Sequence, residues 1–152
     1  MGALCKMISP KWILVDEIVS DKKECIRKLI HALEASGDVQ DAEGLLSDIM
    51  EREGLSSTAV GSGCAIPHAH SASITATRVA AARLHEPIDF GSQDGDQVQL
   101  VFLMAGPKKD TGIHLKVLSK VARLLHDPAY RSRFLEASDA ESFYAVLCQT
   151  ET

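Results

Sequence analysis

One histidine in this sequence stands in a setting typical of reactive side chains. His68 ends the segment 56–68, SSTAVGSGCAIPH, which contains no acidic or basic residue before the histidine. Gly61 and Gly63 permit positive φ angles or a close approach of the backbone to another group. Pro67 fixes its own φ and favours an extended residue before it. The pattern predicts a shaped loop or short strand that presents His68 in one direction.

Three kinds of chemistry fit this setting. The first is a metal site of Cys64, His68 and His70, because nitrogen and sulfur ligands suit zinc. A fourth ligand would have to come from His114 or Cys148, and the spacing matches no strong zinc signature. The second is a Cys64 nucleophile activated by a histidine. The third is a covalent phosphate carrier, because the neutral imidazole of a histidine is nucleophilic and abundant near neutral pH.

A histidine that carries phosphate needs neutralising donors and a face open to protein partners. His114 is placed near the start of a predicted helix, where backbone N–H groups and the helix dipole favour an anion. Arg52 is in the last turn of the predicted helix that runs directly into the loop. Spacing alone also allows plainer roles. His114 could be a partly buried helix residue, and Arg52 could complement the helix dipole by about 0.3–1 kcal/mol.

Composition narrows the class of protein. The chain has 16 Lys and Arg against 21 Asp and Glu, and a net charge of −5 argues against nucleic-acid binding. The four cysteines, at positions 5, 25, 64 and 148, form no CxxC pair, which predicts reduced thiols. No signal peptide and no membrane-spanning run is evident, and no nucleotide-binding glycine motif is present. We therefore expect a cytoplasmic protein without a cofactor.

Hydrophobic periodicity predicts the elements that position these residues. One helix is capped by Asp21, and a second runs from about Asp41 to Gly54. A helix from about Thr111 has an apolar stripe with His114 at its edge; the stripe is Leu115, Leu118, Val121, Ala122 and Leu125. The apolar run 98–104 predicts a central strand. Together these elements predict one α/β domain over residues 1–152, a sandwich of a small mixed β-sheet flanked by helices.

The segment from Thr58 to His68 has the form T-x-x-G-x-G-x-A-I-P-H. It resembles the signature of the EIIA component of the bacterial phosphoenolpyruvate:sugar phosphotransferase system, in the fructose, mannitol and nitrogen-regulatory class. The resemblance extends to Arg52-Glu53, to the segment 86–107 and to His114-Leu115, and so covers most of the chain.

The resemblance implies that His68 takes a phosphoryl group on Nε2 from the phosphocarrier protein HPr and passes it to a cysteine of an EIIB domain or protein. It implies that His114 and Arg52 belong to the same site and that Thr58 shapes the loop. It assigns His70 no role. A membrane permease would be reached only through EIIB and EIIC, and no metal or nucleotide would be needed. The cellular role would be fructose- or mannitol-type sugar uptake or, alternatively, nitrogen-branch regulation through the phosphorylation state of His68.

Two further expectations follow from a chain that hands phosphate between proteins. No EIIB, EIIC or HPr-like segment is expected, since one domain accounts for the residues of this sequence. Docking of a donor and an acceptor around His68 predicts an apolar rim, with Ala59, Val60, Ala65 and Ile66 as its candidates.

Overall fold

The computed structural model describes residues 3–149. The α-helices are α1 Ala3–Met7, α2 Lys22–Leu33, α3 Ala42–Leu55, α4 Thr111–His126, α5 Pro128–Glu136 and α6 Ala140–Gln149. The strands are β1 Ile13–Glu17, β2 Ala59–Gly61, β3 Cys64–Ala65, β4 His68–His70, β5 Arg78–Ile88 and β6 Val98–Gly106. No helix within the described residues is both long and apolar enough to cross a membrane.

The six strands form one mixed sheet in the order β1-β5-β6-β3-β2, and β4 also pairs with β6. Strands β5 and β6 are antiparallel and are joined by the turn that contains Asp94 and Gly95. Strand β1 runs parallel to β5 at one edge. The predicted mixed sheet between helices is confirmed, and the described residues form a single domain.

The loop around His68 is a strand broken in the middle. Strands β3 and β4 both run parallel to β6, with Cys64 opposite Leu100 and His68 opposite Met104. Pro67 lies at the break, where it has no N–H to give to a ladder, but its carbonyl accepts a hydrogen bond from Met104 N at 2.9 Å. The central strand β6 therefore fixes the position along the sheet from which the side chain of His68 projects.

Two hydrophobic cores lie on opposite faces of this sheet. Alternate residues of β6 divide between them, with Val101 and Leu103 on one side and Leu100 and Phe102 on the other. The first core is covered by α2 and α3, and the second by α1, α4, α5 and α6. The site elements α3 and α4 thus reach His68 from opposite layers.

Local sequence signals predict the starts of α2 and α3 correctly. Asp21 caps α2 by accepting a hydrogen bond from Glu24 N at 2.8 Å, and Asp41 caps α3 by accepting one from Gly44 N at 3.0 Å. The predicted end of α3 at Gly54 is wrong, since the helix continues to Leu55. The chain leaves the helix at Ser56 instead, whose backbone is extended with φ −170° and ψ 137°.

The predicted stripe of α4 is correct except at Leu115, since Val121 and Leu125 are buried and Leu118 and Ala122 pack against the second core. Leu115 is 59% exposed, whereas the buried positions are His114, Val117, Val121, Leu124 and Leu125. His114 therefore belongs to the buried face and not to its edge. The reason is tertiary, because the face that α4 buries is chosen by the sheet and by α1, not by the count of apolar residues.

The expectation of four reduced thiols is wrong for one pair. Cys5 and Cys148 form a disulfide with a Cα–Cα distance of 5.5 Å, although 143 positions separate them in sequence. They meet because α1 and α6 pack side by side over the second core. Cys25 and Cys64 are free and buried.

Candidate functional site

His68 is held by its own backbone. The half-buried ring lies at the start of β4, and its Nδ1 is 2.7 Å from the carbonyl oxygen of Ile66. A carbonyl only accepts hydrogen bonds, so Nδ1 carries the proton and Nε2 keeps a free lone pair. Burial lowers the pKa of His68, as does the nearby Arg52, while the bond to Ile66 opposes this shift. The ring is therefore neutral near pH 7 and nucleophilic at Nε2.

The turn before His68 has the backbone that its glycines predict. Gly61, Ser62 and Gly63 have φ angles of 92°, 56° and 77°, so three successive residues lie in the left-handed region. Ser62 N donates to Asp94 Oδ2 at 3.2 Å, which ties this turn to the β5–β6 turn. A side chain at Gly61 would place its Cβ 3.3 Å from the same carboxylate oxygen. Glycine therefore suits this position for both backbone and space.

A buried carboxylate, to which the sequence alone assigned no role, anchors the loop. Glu53 is 5% exposed and accepts hydrogen bonds from Thr58 N at 3.0 Å and Thr58 Oγ1 at 2.6 Å. Lys22 Nζ lies 3.0 Å from the same carboxylate. The carbonyl of Thr58 in turn accepts Ile66 N at 3.0 Å. These bonds form a chain from Lys22 through Glu53, Thr58 and Ile66 to the ring of His68.

His114 lies against His68 from the other layer of the fold. Its side chain projects from the first turn of α4 and is almost fully buried, with a ring centroid 5.9 Å from that of His68. Within the described residues its Nδ1 is buried without a hydrogen-bond partner. Burial, followed by the charges of His70 and His68, lowers the pKa of His114 to about 4. This second imidazole is therefore also neutral near pH 7.

Arg52 brings positive charge to the site from the last turn of α3. Its Nη1 donates to the carbonyl of Ser56 at 3.1 Å, so the guanidinium also closes the end of the helix. It is near enough to lower the pKa of His68. The structure thus brings the three predicted residues His68, His114 and Arg52 into one neighbourhood, where an anion between them would meet a cation and two neutral rings.

The structure does not support the two alternative chemistries, a Cys64 nucleophile and a metal site. Cys64 lies in the second core, and burial raises the pKa of its thiol to about 11, so it is not a thiolate near neutral pH. Cys148, proposed as a distant ligand, is bonded to Cys5. Among residues 3–149, no group of three or more His, Cys, Asp or Glu side chains is placed to hold a metal ion.

The predicted apolar rim is partly wrong. Ala65 and Ile66 are buried at 0% and 2% exposure, because β3 lies inside the sheet against β6. Ala59 is half-buried, and Val60 is exposed. Other exposed apolar side chains lie on the segments that carry the site. Together with Val60 we call them the apolar rim: Leu55, Val60, Ile113 and Leu115.

Fold and site together define a class of protein. It has a mixed sheet between two helical layers and presents a neutral histidine, His68, whose Nε2 is free to react. The family model for the phosphoenolpyruvate-dependent sugar phosphotransferase system, EIIA 2, matches residues 6–150, and the chain belongs to this family. The family is a phosphotransfer component, and the resemblance seen in the sequence is confirmed.

Relatives of both cellular roles are similar to this chain. A nitrogen regulatory protein of Bradyrhizobium diazoefficiens is 37% identical over 142 residues, covering 93% of this chain and 92% of the relative. A fructose-specific EIIA component of the phosphotransferase system in Haloferax volcanii is 33% identical, covering 90% and 89% respectively.

Solved structures agree on the fold. The nitrogen regulatory protein IIA-Ntr of Neisseria meningitidis superposes with a TM-score of 0.90 at 31% identity, covering 96% of this chain and 99% of that one. Enzyme IIA for mannitol of Escherichia coli, solved in complex with phosphorylated enzyme IIB, superposes with a TM-score of 0.77 at 21% identity. That match covers 93% of this chain and 96% of the other.

Proposed function

We propose that this protein is a phosphocarrier that takes a phosphoryl group from an HPr-type protein on Nε2 of His68 and passes it to the cysteine of an EIIB domain or protein. The observation that carries the proposal is the 2.7 Å contact between His68 Nδ1 and the carbonyl of Ile66. It holds the proton on one nitrogen and aims the lone pair of the other away from the backbone.

In both transfer steps, the side chains that exchange the phosphoryl group account for every bond that forms and breaks. In the first, the Nε2 lone pair attacks phosphorus, a P–N bond forms on His68, and the donor group of the HPr-type protein keeps the electrons of the bond to phosphorus that breaks. In the second, an EIIB thiolate attacks phosphorus, a P–S bond forms, and Nε2 recovers its lone pair. The proton on Nδ1 is not exchanged in either step, so the bond to Ile66 persists through the cycle.

Arg52 and His114 stabilise the phosphoryl group in this proposal. Arg52 supplies positive charge to the phosphoryl oxygens, while the phosphorylated ring, which keeps its Nδ1 proton, carries a positive charge that the carbonyl of Ile66 stabilises. Neutral His114 supplies one N–H without the charge of an imidazolium. This combination suits a carrier, because a site that binds the anion too tightly would load easily but release slowly.

Phosphorylation itself tests the core of the proposal. The protein is incubated with phosphoenolpyruvate, enzyme I and HPr, and an acid-labile, base-stable phosphoryl group is sought by mass spectrometry and ³¹P NMR. We expect the wild type and His126→Ala, an exposed histidine at the end of α4, to be labelled. His68→Ala must remain unlabelled, and label on that variant would overturn the assignment.

Docking of the partners is proposed on the apolar rim. Val60→Asp and Leu115→Asp place a charge on exposed apolar side chains of two different elements, β2 and α4. We expect each to raise the KM for phospho-HPr by about tenfold, the effect of losing one good interface contact. Ile18→Asp is the matched control, because Ile18 is 70% exposed but follows β1, away from the segments of the site. Equal effects of all three variants would remove the rim from the proposal.

The relatives support two cellular roles for the same site chemistry. Transport predicts that phospho-protein donates to a fructose- or mannitol-type EIIB, as the relative named for fructose suggests. Nitrogen-branch regulation predicts instead that the phosphorylation state of His68 controls binding to target proteins, as the nitrogen regulatory relatives suggest. Transfer to purified EIIB proteins decides between them. Rapid loss of label to one EIIB supports transport, and stable label in the presence of every EIIB of the cell supports regulation.

A further inference from the structure

His70 makes a ring contact that no role in the proposed transfer accounts for. Its ring centroid lies 4.1 Å from that of His114, with an angle of 37° between the planes. This is the closest of the ring contacts between described histidines, shorter than the 5.9 Å between His68 and His114. Two rings at this spacing are in direct van der Waals contact.

The strand explains why His70 reaches His114. His68 and His70 are two positions apart on β4 and share one face, whereas Ala69 between them is buried on the other. His70 is exposed while His114 is 2% exposed. An exposed ring in contact with a buried one forms part of the cover that separates it from water. His70 therefore lies over the second imidazole of the site and beside the first.

We propose that His70 is a positioning residue for phosphoryl transfer, whose ring covers His114 and holds it in place beside His68. The inference rests on the proposed function, but the contact itself does not. It assigns a task to a residue for which spacing and resemblance give none.

The unpartnered nitrogen of His114 supports this assignment. Within the described chain no hydrogen bond fixes the His114 ring through Nδ1, so its position depends on burial and on contact with the neighbouring rings. The charged groups that act on His114 are the imidazoles of His70 and His68, and those that act on His68 are Arg52, Glu53 and His70. Without the His70 ring, water would reach His114 and its protonated form would become accessible.

The first experiment needs no phosphate donor. Ring C–H resonances of His114 are followed by NMR against pH in the unphosphorylated wild type, in His70→Ala and in His70→Phe. We expect His70→Ala to raise the pKa of His114 by about one unit or more, because its cover is lost. His70→Phe restores the ring without its charge, so we expect a clearly smaller rise in the pKa of His114 than in His70→Ala, because the cover is kept and only the charge of His70 is lost. His31→Ala, a histidine on the exposed face of α2, is the matched control.

The second experiment measures transfer from phospho-HPr to His68 in the same variants. We expect His70→Ala to slow transfer by about 3- to 10-fold, the loss of one aromatic contact, and His70→Phe to restore most of the rate. A wild-type pKa and rate in His70→Ala would overturn the proposal. A His70→Phe variant that behaves like His70→Ala would overturn it too, since charge and not the ring would then act. If the wild type takes no phosphate, the proposed function fails, whereas the NMR titration still decides whether His70 covers His114.

Discussion

The two histidines of the site are held in opposite ways. The ring of His68 ends a chain of hydrogen bonds that begins at Lys22 and passes through Glu53, Thr58 and Ile66. His114 has no such chain. Its Nδ1 is unpartnered within residues 3–149, and the ring is held by burial and by contact with two other imidazoles.

This difference follows from what each ring must do in the proposed transfer. Nucleophilic attack requires one nitrogen with a free lone pair and one direction, which a hydrogen bond to the other nitrogen supplies. A neighbour that contacts a transient phosphoryl group needs an open nitrogen when the group arrives. A full set of hydrogen bonds would leave it none. The predictions below test whether the first ring depends on polar contacts and the second on packing.

Glu53→Ala should have the largest effect. It removes the acceptor of three hydrogen bonds, two from Thr58 and one from Lys22, and leaves the buried N–H of Thr58 unpaired. We expect the free energy of unfolding in urea to fall by about 3–5 kcal/mol, as when one member of a buried ion pair is removed.

The control for this variant is Glu51→Ala, because Glu51 is exposed on the same helix and should change stability by less than about 0.5 kcal/mol. Where Glu53→Ala still folds, transfer to His68 should slow while the pKa of His114 stays near 4. A change in both histidines would show that the two sides of the site are not independent.

Reduction of the Cys5–Cys148 disulfide tests the second hydrophobic core, against which α4, the helix that carries His114, packs. The disulfide joins α1 to α6 in the core that also holds α4. Closing so long a loop restricts the unfolded chain, and we expect reduction to lower the free energy of unfolding by about 2–4 kcal/mol. Urea unfolding with and without a thiol reductant measures this. In the Cys5→Ala/Cys148→Ala double variant the reductant should have no effect, and a remaining effect would assign the change to another cause.

Acid should lower the free energy of unfolding through His114, the ring that is held by packing. Its folded pKa of about 4 lies below the 6.5 of an unperturbed histidine, so the unfolded chain binds more protons between these values. The resulting stability is fully present above pH 6.5 and is lost as the pH falls through this window. We expect the wild type to lose about 2 kcal/mol more than His114→Phe between about pH 7.5 and about pH 5.

His114→Phe keeps a buried ring and removes the titrating group, so His68 and the carboxylates cancel in the comparison. Unfolding in urea at each pH gives both curves. Parallel curves would mean that His114 does not titrate with a lowered pKa in the folded protein.

Sequence reasoning succeeded where a feature depends on neighbours in the chain. The Asp21 cap and the glycine turn are local, and each is encoded within a few residues. The alternation of helices and strands was enough to predict the mixed sheet between helices. The pairing of His68 with His114 depended on family resemblance, because 46 positions separate them and no local pattern relates them.

Most of the features that were missed depend on contacts between distant segments. Lys22 reaches Glu53 across 31 positions, and Cys5 reaches Cys148 across 143. The buried face of α4 is set by the layer against which the helix packs, and apolar periodicity wrongly included Leu115 and left His114 at the edge. His70 carried no signal except its spacing of two from His68, and alternation on a strand gives that spacing meaning only once the strand is known.

Thr58→Val makes the smallest and most specific test of the hydrogen-bonded side. Valine has nearly the same shape, so it keeps the packing of Thr58 and the backbone N–H bond to Glu53 while removing the hydroxyl that donates to Oε2 at 2.6 Å. We expect the free energy of unfolding to fall by about 1.5 kcal/mol, the usual contribution of one hydrogen bond to a charged group. Thr58→Ser keeps the hydroxyl and should retain the transfer rate, which a purely steric role of the threonine methyl would not allow. Because the carbonyl of Thr58 still accepts Ile66 N in both variants, a slower transfer in Thr58→Val alone would show that the side-chain bond, and not the backbone alone, keeps Nε2 of His68 in line.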